Sequence, residues 1–137
     1  MKIIKDWPPN KNELAQFFPL DLPNYKPIFP WGKDIIYNPH EEEIPPDVMF
    51  HEQVHAEQQG EFPERWWQRY ALDKEFRKEQ EVEAYAKQLQ FVKNSLNAKA
   101  VKECLDDLAD NLSSPLYQLG IEKHKAQSLI RHYEFET

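Results

Sequence analysis

Residues His51-Glu52-Gln53-Val54-His55 form an H-E-x-x-H motif, and no other segment limits the possible folds of this chain as strongly. At about 100° of rotation per residue, His51 and His55 lie one turn apart on one helix face, with Glu52 at its border. Two imidazoles placed this way can bind one metal ion through their ring nitrogens. A carboxylate beside them can take a proton from a metal-bound water. The spacing predicts a metal site with His51 and His55 as ligands and Glu52 as base.

The residues on both sides of the motif indicate where its helix begins and ends. Pro45 and Pro46 precede the motif, and proline is tolerated in the first turn of a helix. The acidic residues 41–43 lie just upstream, where negative charge favours a helix N-terminus. Gly60 stands where a left-handed C-terminal residue is expected. We therefore predict a helix of about 13 residues that carries both histidines and Glu52 on one face.

The composition is typical of one soluble globular domain, with 137 residues, 40% hydrophobic and 30% charged. The net charge of −7 argues against nonspecific binding to nucleic acid or to an anionic membrane. No segment approaches the roughly 20 apolar residues of a membrane span. The single Cys104 fits a reducing compartment, and residues 1–6 lack the apolar stretch of a signal peptide. We expect a single domain, residues 1–137, that is not secreted by a signal peptide and binds neither nucleic acid nor membrane.

Residues 1–30 are rich in proline, and we expect them to form an N-terminal arm packed on the core. Asn10 followed by Glu13 resembles a capping box, which predicts a short helix over residues 11–18. Residues 19–30 contain too much proline for a regular helix or a central strand, so we expect a loop there.

The remaining patterns predict one short sheet followed by helices. Residues 31–34 resemble a turn, and Ile35-Ile36-Tyr37 have strong strand propensity, which predicts two or three strands. Because the adjacent Trp66 and Trp67 cannot both face one core from a helix, we expect one to line a groove or cover a loop, with simple hydrophobic packing as an equally weighted alternative. The predicted fold class is α+β, mainly helical, with a small β-sheet edge preceding the motif helix. Apolar periodicity predicts further helices over residues 64–70, 74–93, 97–112 and from 122 onward.

A catalytic zinc usually takes three protein ligands and leaves one position for water. The extended motif that supplies a third histidine from the same segment is not present, because Gln58 and Glu61 stand where it needs Gly and His. A Glu from the predicted helix 74–93 is the alternative. Helical geometry turns Glu83 toward solvent and leaves the choice among the others open. The candidates considered are Glu75, Glu79, Glu81 and Glu83.

The chain resembles small H-E-x-x-H proteins that phages and prophages encode and that are described as metallopeptidases. In that family the Glu of a Gln-Glu pair is the third ligand, and the matching residue here is Glu81. The resemblance implies a minimal zincin-like, or gluzincin-like, hydrolase in which His51, His55 and Glu81 hold Zn²⁺. Glu52 would be the catalytic base, and the substrate would be a peptide or protein. The likeness covers most of the chain from residue 31 onward, including Trp31-Gly32, Ile36-Tyr37-Asn38-Pro39, Gln58-Gln59, Gln80-Glu81-Val82-Glu83-Ala84-Tyr85 and Leu112-Ser113-Ser114-Pro115-Leu116-Tyr117.

The sequence identifies neither the residue that supports a ligand histidine in such peptidases nor the residue that stabilises the oxyanion. Many of them place an Asp four residues after the ligand Glu to support a histidine, whereas this chain has Tyr85. They also bind the peptide as an added strand, and we expect residues 31–37 to provide that edge. No residue can be assigned as oxyanion donor from sequence; the residues considered are Tyr117, His124, His132 and Tyr133.

Two other functions are compatible with the same motif. The protein could be a phage virion, assembly or partner-binding protein with a structural or vestigial zinc site, or a regulator of host–phage conflict. These functions and the peptidase all place it in the host cytoplasm or the virion. The fourth metal position discriminates between them, because an open position favours an enzyme and a fourth protein ligand favours a structural role. The possible fourth ligands are His40, His124 and His132.

Overall fold

The structure, a computed structural model, describes residues 1–135 and joins a small sheet to a set of packed helices. The α+β, mainly helical class predicted from the sequence is confirmed. Within the described residues no helix is both long enough and apolar enough to cross a bilayer. The strands are β1 (Lys2–Ile4), β2 (Phe29–Trp31) and β3 (Ile35–Tyr37). The helices are α1 (Lys11–Ala15), α2 (Pro46–Gln59), α3 (Pro63–Leu72), α4 (Lys74–Lys93), α5 (Ala98–Leu112) and α6 (Lys123–Arg131), with a 3₁₀ turn at Pro115–Tyr117.

The three strands form one sheet in the order β1-β3-β2. β3 pairs in parallel with β1 and antiparallel with β2, so β3 is the central strand. The predicted strand at Ile35–Tyr37 is confirmed. The sheet edge expected at residues 31–37 is only partly right, because Trp31 ends the edge strand β2 whereas Ile35–Tyr37 is central. Phe29 and Pro30 were expected in a loop and lie in β2 instead; Pro30 is tolerated because β2 is an edge strand.

The side chain of Gln59, at the end of α2, bonds to the outer edge of β2. Its Nε2 donates to the Pro30 carbonyl at 2.8 Å, and its Oε1 accepts from the Gly32 backbone N–H at 2.7 Å. Trp67 Nε1 also donates to the Pro30 carbonyl, at 3.0 Å. These bonds attach the motif helix to the sheet and set the position of one relative to the other.

The motif helix agrees closely with its predicted bounds. Pro46 occupies its first turn, and Gly60 ends it with φ of 58°, a backbone conformation that a residue with a side chain seldom adopts. The predicted helix over residues 74–93 matches α4, and the Asp73 side chain caps it by accepting from Phe76 N. α2 packs along α4, which brings the motif opposite Glu81.

The capping box predicted for the arm is not formed. α1 is shorter than predicted, and the Asn10 side chain makes no cap bond to it. The backbone of Asn10 has φ −97° and ψ 21°, whereas a capping residue needs an extended conformation to direct its side chain at the helix N–H groups. Its Oδ1 is buried and has no hydrogen-bond partner among residues 1–135.

Trp66 and Trp67 are both buried in one aromatic cluster, although one helix face was not expected to hold both, and both also line a cavity, as was expected of one of them. α3 is covered on two sides, because Phe29 of β2 packs on Trp67 and His55 of α2 packs on Trp66. A second, aliphatic cluster joins α4, α5 and α6. The motif lies between these two clusters.

Candidate metal centre

His51, His55 and Glu81 converge at the contact between α2 and α4. Glu81 Oε1 lies 3.2 Å from His51 Nε2 and 3.1 Å from His55 Nε2. Two ligand atoms about 2 Å from a tetrahedral ion lie roughly 3.3 Å apart, so these separations suit one zinc-sized ion. All three side chains are buried, and the burial of so many ionisable groups needs a compensating partner. The donor set therefore fits a metal ion.

The packing of α2 on α4 resolves the choice that helical geometry left open. Among the four candidate glutamates, only Glu81 meets the histidines. Glu75 and Glu79 are exposed on other faces of α4. Glu83 was expected to be solvated; instead it is partly buried and accepts a hydrogen bond from Gln58.

Glu52 lies beside the cluster but is not part of it. Its Oε1 is 3.9 Å from His51 Nε2, and its side chain is buried in the wall of the same cavity. Burial raises the pKa of the Glu52 carboxyl above its ordinary value, an effect that outweighs the nearby histidines. A carboxylate with a raised pKa is a stronger base than an exposed glutamate, which suits it to accept a proton.

Each histidine is held at its second ring nitrogen by a glutamine. Gln88 Oε1 lies 3.0 Å from His51 Nδ1, and Gln58 Oε1 lies 2.8 Å from His55 Nδ1. Sequence reasoning missed both residues because it sought an Asp. A helical signal was available, since Gln58 follows His55 by one turn and Gln88 follows Glu81 by two turns.

Tyrosines surround Glu81. The Tyr70 hydroxyl donates to Glu81 Oε2 at 2.5 Å, which leaves Oε1 directed at the histidines. Tyr85, four residues after Glu81, packs edge-on against His51, and its hydroxyl bonds to that of Tyr117 at 2.5 Å. Burial and the nearby Glu81 raise the pKa of all three phenols well above 10, so they are neutral.

A cavity of about 240 Å³ reaches the cluster. Its walls include the arm segment 25–30, the aromatic cluster around α3 and Tyr117, one of the residues considered as oxyanion donor. The other residues considered as oxyanion donor lie elsewhere: His124 and His132 are exposed, and Tyr133 donates to Glu83. His40, considered as a fourth ligand, packs against Trp7. Within the part of the chain that the structure describes, no fourth protein ligand joins His51, His55 and Glu81.

Without metal, His55 and Glu81 form a buried ion pair. Burial opposes a charge on His55, but the Glu81 carboxylate outweighs burial and raises the pKa of His55 to about 9. Burial likewise opposes the charge on Glu81, but the two histidines together hold its pKa below the ordinary range. In the metal-free protein at neutral pH, His55 is protonated, and its positive charge lies beside Glu81, where a metal cation would otherwise bind.

We expect the metal-free protein to lose stability as the pH rises from about 6.5 to about 9. A histidine whose pKa is raised by folding stabilises fully below its unfolded pKa, and this contribution is lost as pH rises through the folded value. The free energy of unfolding of chelator-treated protein should fall by at most about 1.4 kcal/mol per pH unit for one proton. Glu81→Gln should flatten this dependence; an equally steep dependence in that variant would assign the effect to other groups.

No protein-family model matches the chain, and neither a curated protein nor a solved structure matches it. The features that bear on function are therefore the geometry of α2 and α4 and the chemistry of the residues between them.

Proposed function

We propose that this protein is a minimal zincin-like, zinc-dependent metallopeptidase. The observation that carries the proposal is the convergence of His51, His55 and Glu81 on one point, with Glu52 beside them at a cavity. Two histidines and a glutamate are a donor set that catalytic zinc sites of peptidases use. Zinc bound by them would supply Lewis-acid polarisation of a peptide carbonyl and would lower the pKa of water.

Glu52 would carry the proton transfers of the reaction. Its carboxylate accepts a proton from the attacking water as the new C–O bond forms at the carbonyl carbon. It then donates that proton to the amine nitrogen as the C–N bond breaks, so the products are a carboxylic acid and an amine. The raised pKa of Glu52 favours the uptake of the proton.

The fourth metal position supports an enzyme over a structural site. None of His40, His124 and His132 is placed near the cluster, so no described residue competes with substrate there. The cavity and its arm segment 25–30 give a peptide access to this position. The edge for an added strand would be residues 25–28 of this segment, just before β2, because β3 is central and Gln59 occupies β2 at Pro30.

A second candidate is a partner-binding or virion protein with a structural or vestigial zinc site. The observation that favours it is burial: the three ligands and Glu52 are each only 3–7% exposed, so access is narrow. The resemblance to phage-encoded proteins is compatible with either candidate, and for both we propose a location in the host cytoplasm or the virion.

We expect purified protein to carry about one zinc per chain, and chelation to abolish hydrolysis of unfolded protein substrates. Chelation should also lower the melting temperature without unfolding the chain, because zinc would join α2 to α4. Metal analysis, a fluorogenic casein assay and thermal melts, each repeated after zinc is restored, measure these effects. A wild-type protein free of metal after zinc-replete expression would overturn both candidates. One zinc per chain with no hydrolysis of any peptide would favour the second.

A further inference from the structure

We infer that two carboxylates outside the metal cluster hold the histidines in their metal-binding form, each acting through a glutamine side chain. The inference goes beyond the proposed function but shares its premise that the histidines bind a metal. Each connection, here called a relay, runs from histidine Nδ1 through a glutamine amide to a carboxylate. The first relay is His51–Gln88–Asp47 and the second is His55–Gln58–Glu83.

The first relay determines which nitrogen of His51 carries the proton. Gln88 Nε2 lies 2.8 Å from Asp47 Oδ2, and an ionised carboxylate can only accept. This contact fixes the amide orientation, with its N–H groups toward Asp47 and its carbonyl oxygen toward His51. That oxygen, 3.0 Å from His51 Nδ1, also can only accept, so Nδ1 of the neutral ring bears the hydrogen. Nε2 is therefore left with its lone pair free, on the side that faces Glu81.

The second relay likewise assigns the hydrogen of a neutral His55 ring to Nδ1, and two acceptors fix the orientation of its amide. Gln58 Nε2 donates to Glu83 Oε1 at 2.6 Å and to the Gln80 backbone carbonyl at 3.1 Å, and both are acceptors only. Gln58 Oε1 must then face His55 Nδ1, 2.8 Å away. Glu83 is itself held by Lys87 Nζ at 3.1 Å, one turn along α4.

Because an amide lies between each histidine and its carboxylate, the ring is oriented without a negative charge in contact with it. A carboxylate in direct contact with a ligand histidine orients the ring and also places a negative charge beside the metal. Here the amides orient both rings, and the charges of Asp47 and Glu83 remain one side chain further out. Asp47 and Glu83 are thus positioning residues, and so are Gln58 and Gln88; none of them touches the reacting atoms.

The test measures zinc affinity by competition with a chromophoric chelator, a readout that does not depend on turnover. Gln88→Leu and Gln58→Leu should each weaken zinc binding by roughly 10–100-fold, the usual effect of losing such a partner. Asp47→Ala should weaken it less, because the Gln88 amide remains but loses its fixed orientation. Asp47→Asn retains an oxygen that accepts from Gln88 and should restore wild-type affinity.

Asp107→Ala is the matched control, since it removes the same charge from an exposed site on α5, and it should leave zinc affinity unchanged. Melts of the metal-free variants check that each one folds. Wild-type zinc affinity in both leucine variants would overturn the inference, and so would equal losses in Asp47→Ala and Asp47→Asn. If a leucine variant does not fold, the two Asp47 variants decide. Absence of zinc from the wild type would instead defeat the proposed function.

Discussion

Glu52→Gln should bind zinc as tightly as the wild type and hydrolyse peptides more slowly by at least roughly 10²–10⁴-fold, the contribution of general-base catalysis. The side chain keeps its size and its place beside His51, so the metal cluster is preserved. The amide, however, cannot accept a proton from the attacking water. Zinc stoichiometry and turnover of unfolded protein substrates, measured on the same preparation, separate binding from catalysis.

Glu57→Gln is the matched control for that experiment. Glu57 lies on the same helix, is exposed, and should retain both zinc and activity on substitution. Equal turnover by wild type and Glu52→Gln would show that the activity comes from a contaminant or from other residues. If neither protein turns over substrate while both bind a partner equally well, the binding-protein candidate is supported.

Glu81→Ala should lose most of its zinc, with an affinity loss larger than the roughly 10–100-fold that removal of an outer partner costs. The substitution removes the oxygen that meets both histidines and leaves only two protein ligands. His51→Ala and His55→Ala should have the same effect. Equilibrium dialysis against buffered zinc, followed by metal analysis, gives the affinities.

The control for the third ligand is Glu79→Ala, on the same helix but exposed, which should retain wild-type affinity. Full zinc retention by Glu81→Ala would contradict the cluster and return Glu75 and Glu79 to consideration. Loss of zinc in Glu79→Ala as well would indicate a general effect on α4 instead of a ligand at position 81.

The sequence predicted best the helices whose first and last residues are set by neighbouring residues. The bounds of α2 and α4 followed from proline, glycine and apolar periodicity, all of which act within one or two turns. Local signals could not show which glutamate faces the histidines, because an isolated helix presents Glu75, Glu79 and Glu81 about equally well. Only the packing of α4 against α2 distinguishes them, and that packing is a property of the whole fold.

The features that the sequence did not predict depend on contacts between distant segments. β1 has only three residues and gains its identity from parallel pairing with β3, which periodicity cannot detect. The glutamine partners of the histidines were missed because an amide can replace a carboxylate at Nδ1, and Gln88 reaches His51 only in the folded chain. The failed cap at Asn10 has the same origin, since the path of the arm sets its backbone angles.

The bond pattern of Gln59 has a consequence for self-association. Its side chain occupies the Pro30 carbonyl and the Gly32 N–H, the groups through which a neighbouring strand would pair with β2. An edge strand with open groups is a template for intermolecular pairing, and proteins that leave such an edge bare tend to aggregate. The Gln59 side chain thus makes the two hydrogen bonds that a neighbouring strand would otherwise make at this point of the edge. The helix that carries His51 and His55 thus also protects the sheet from uncontrolled growth.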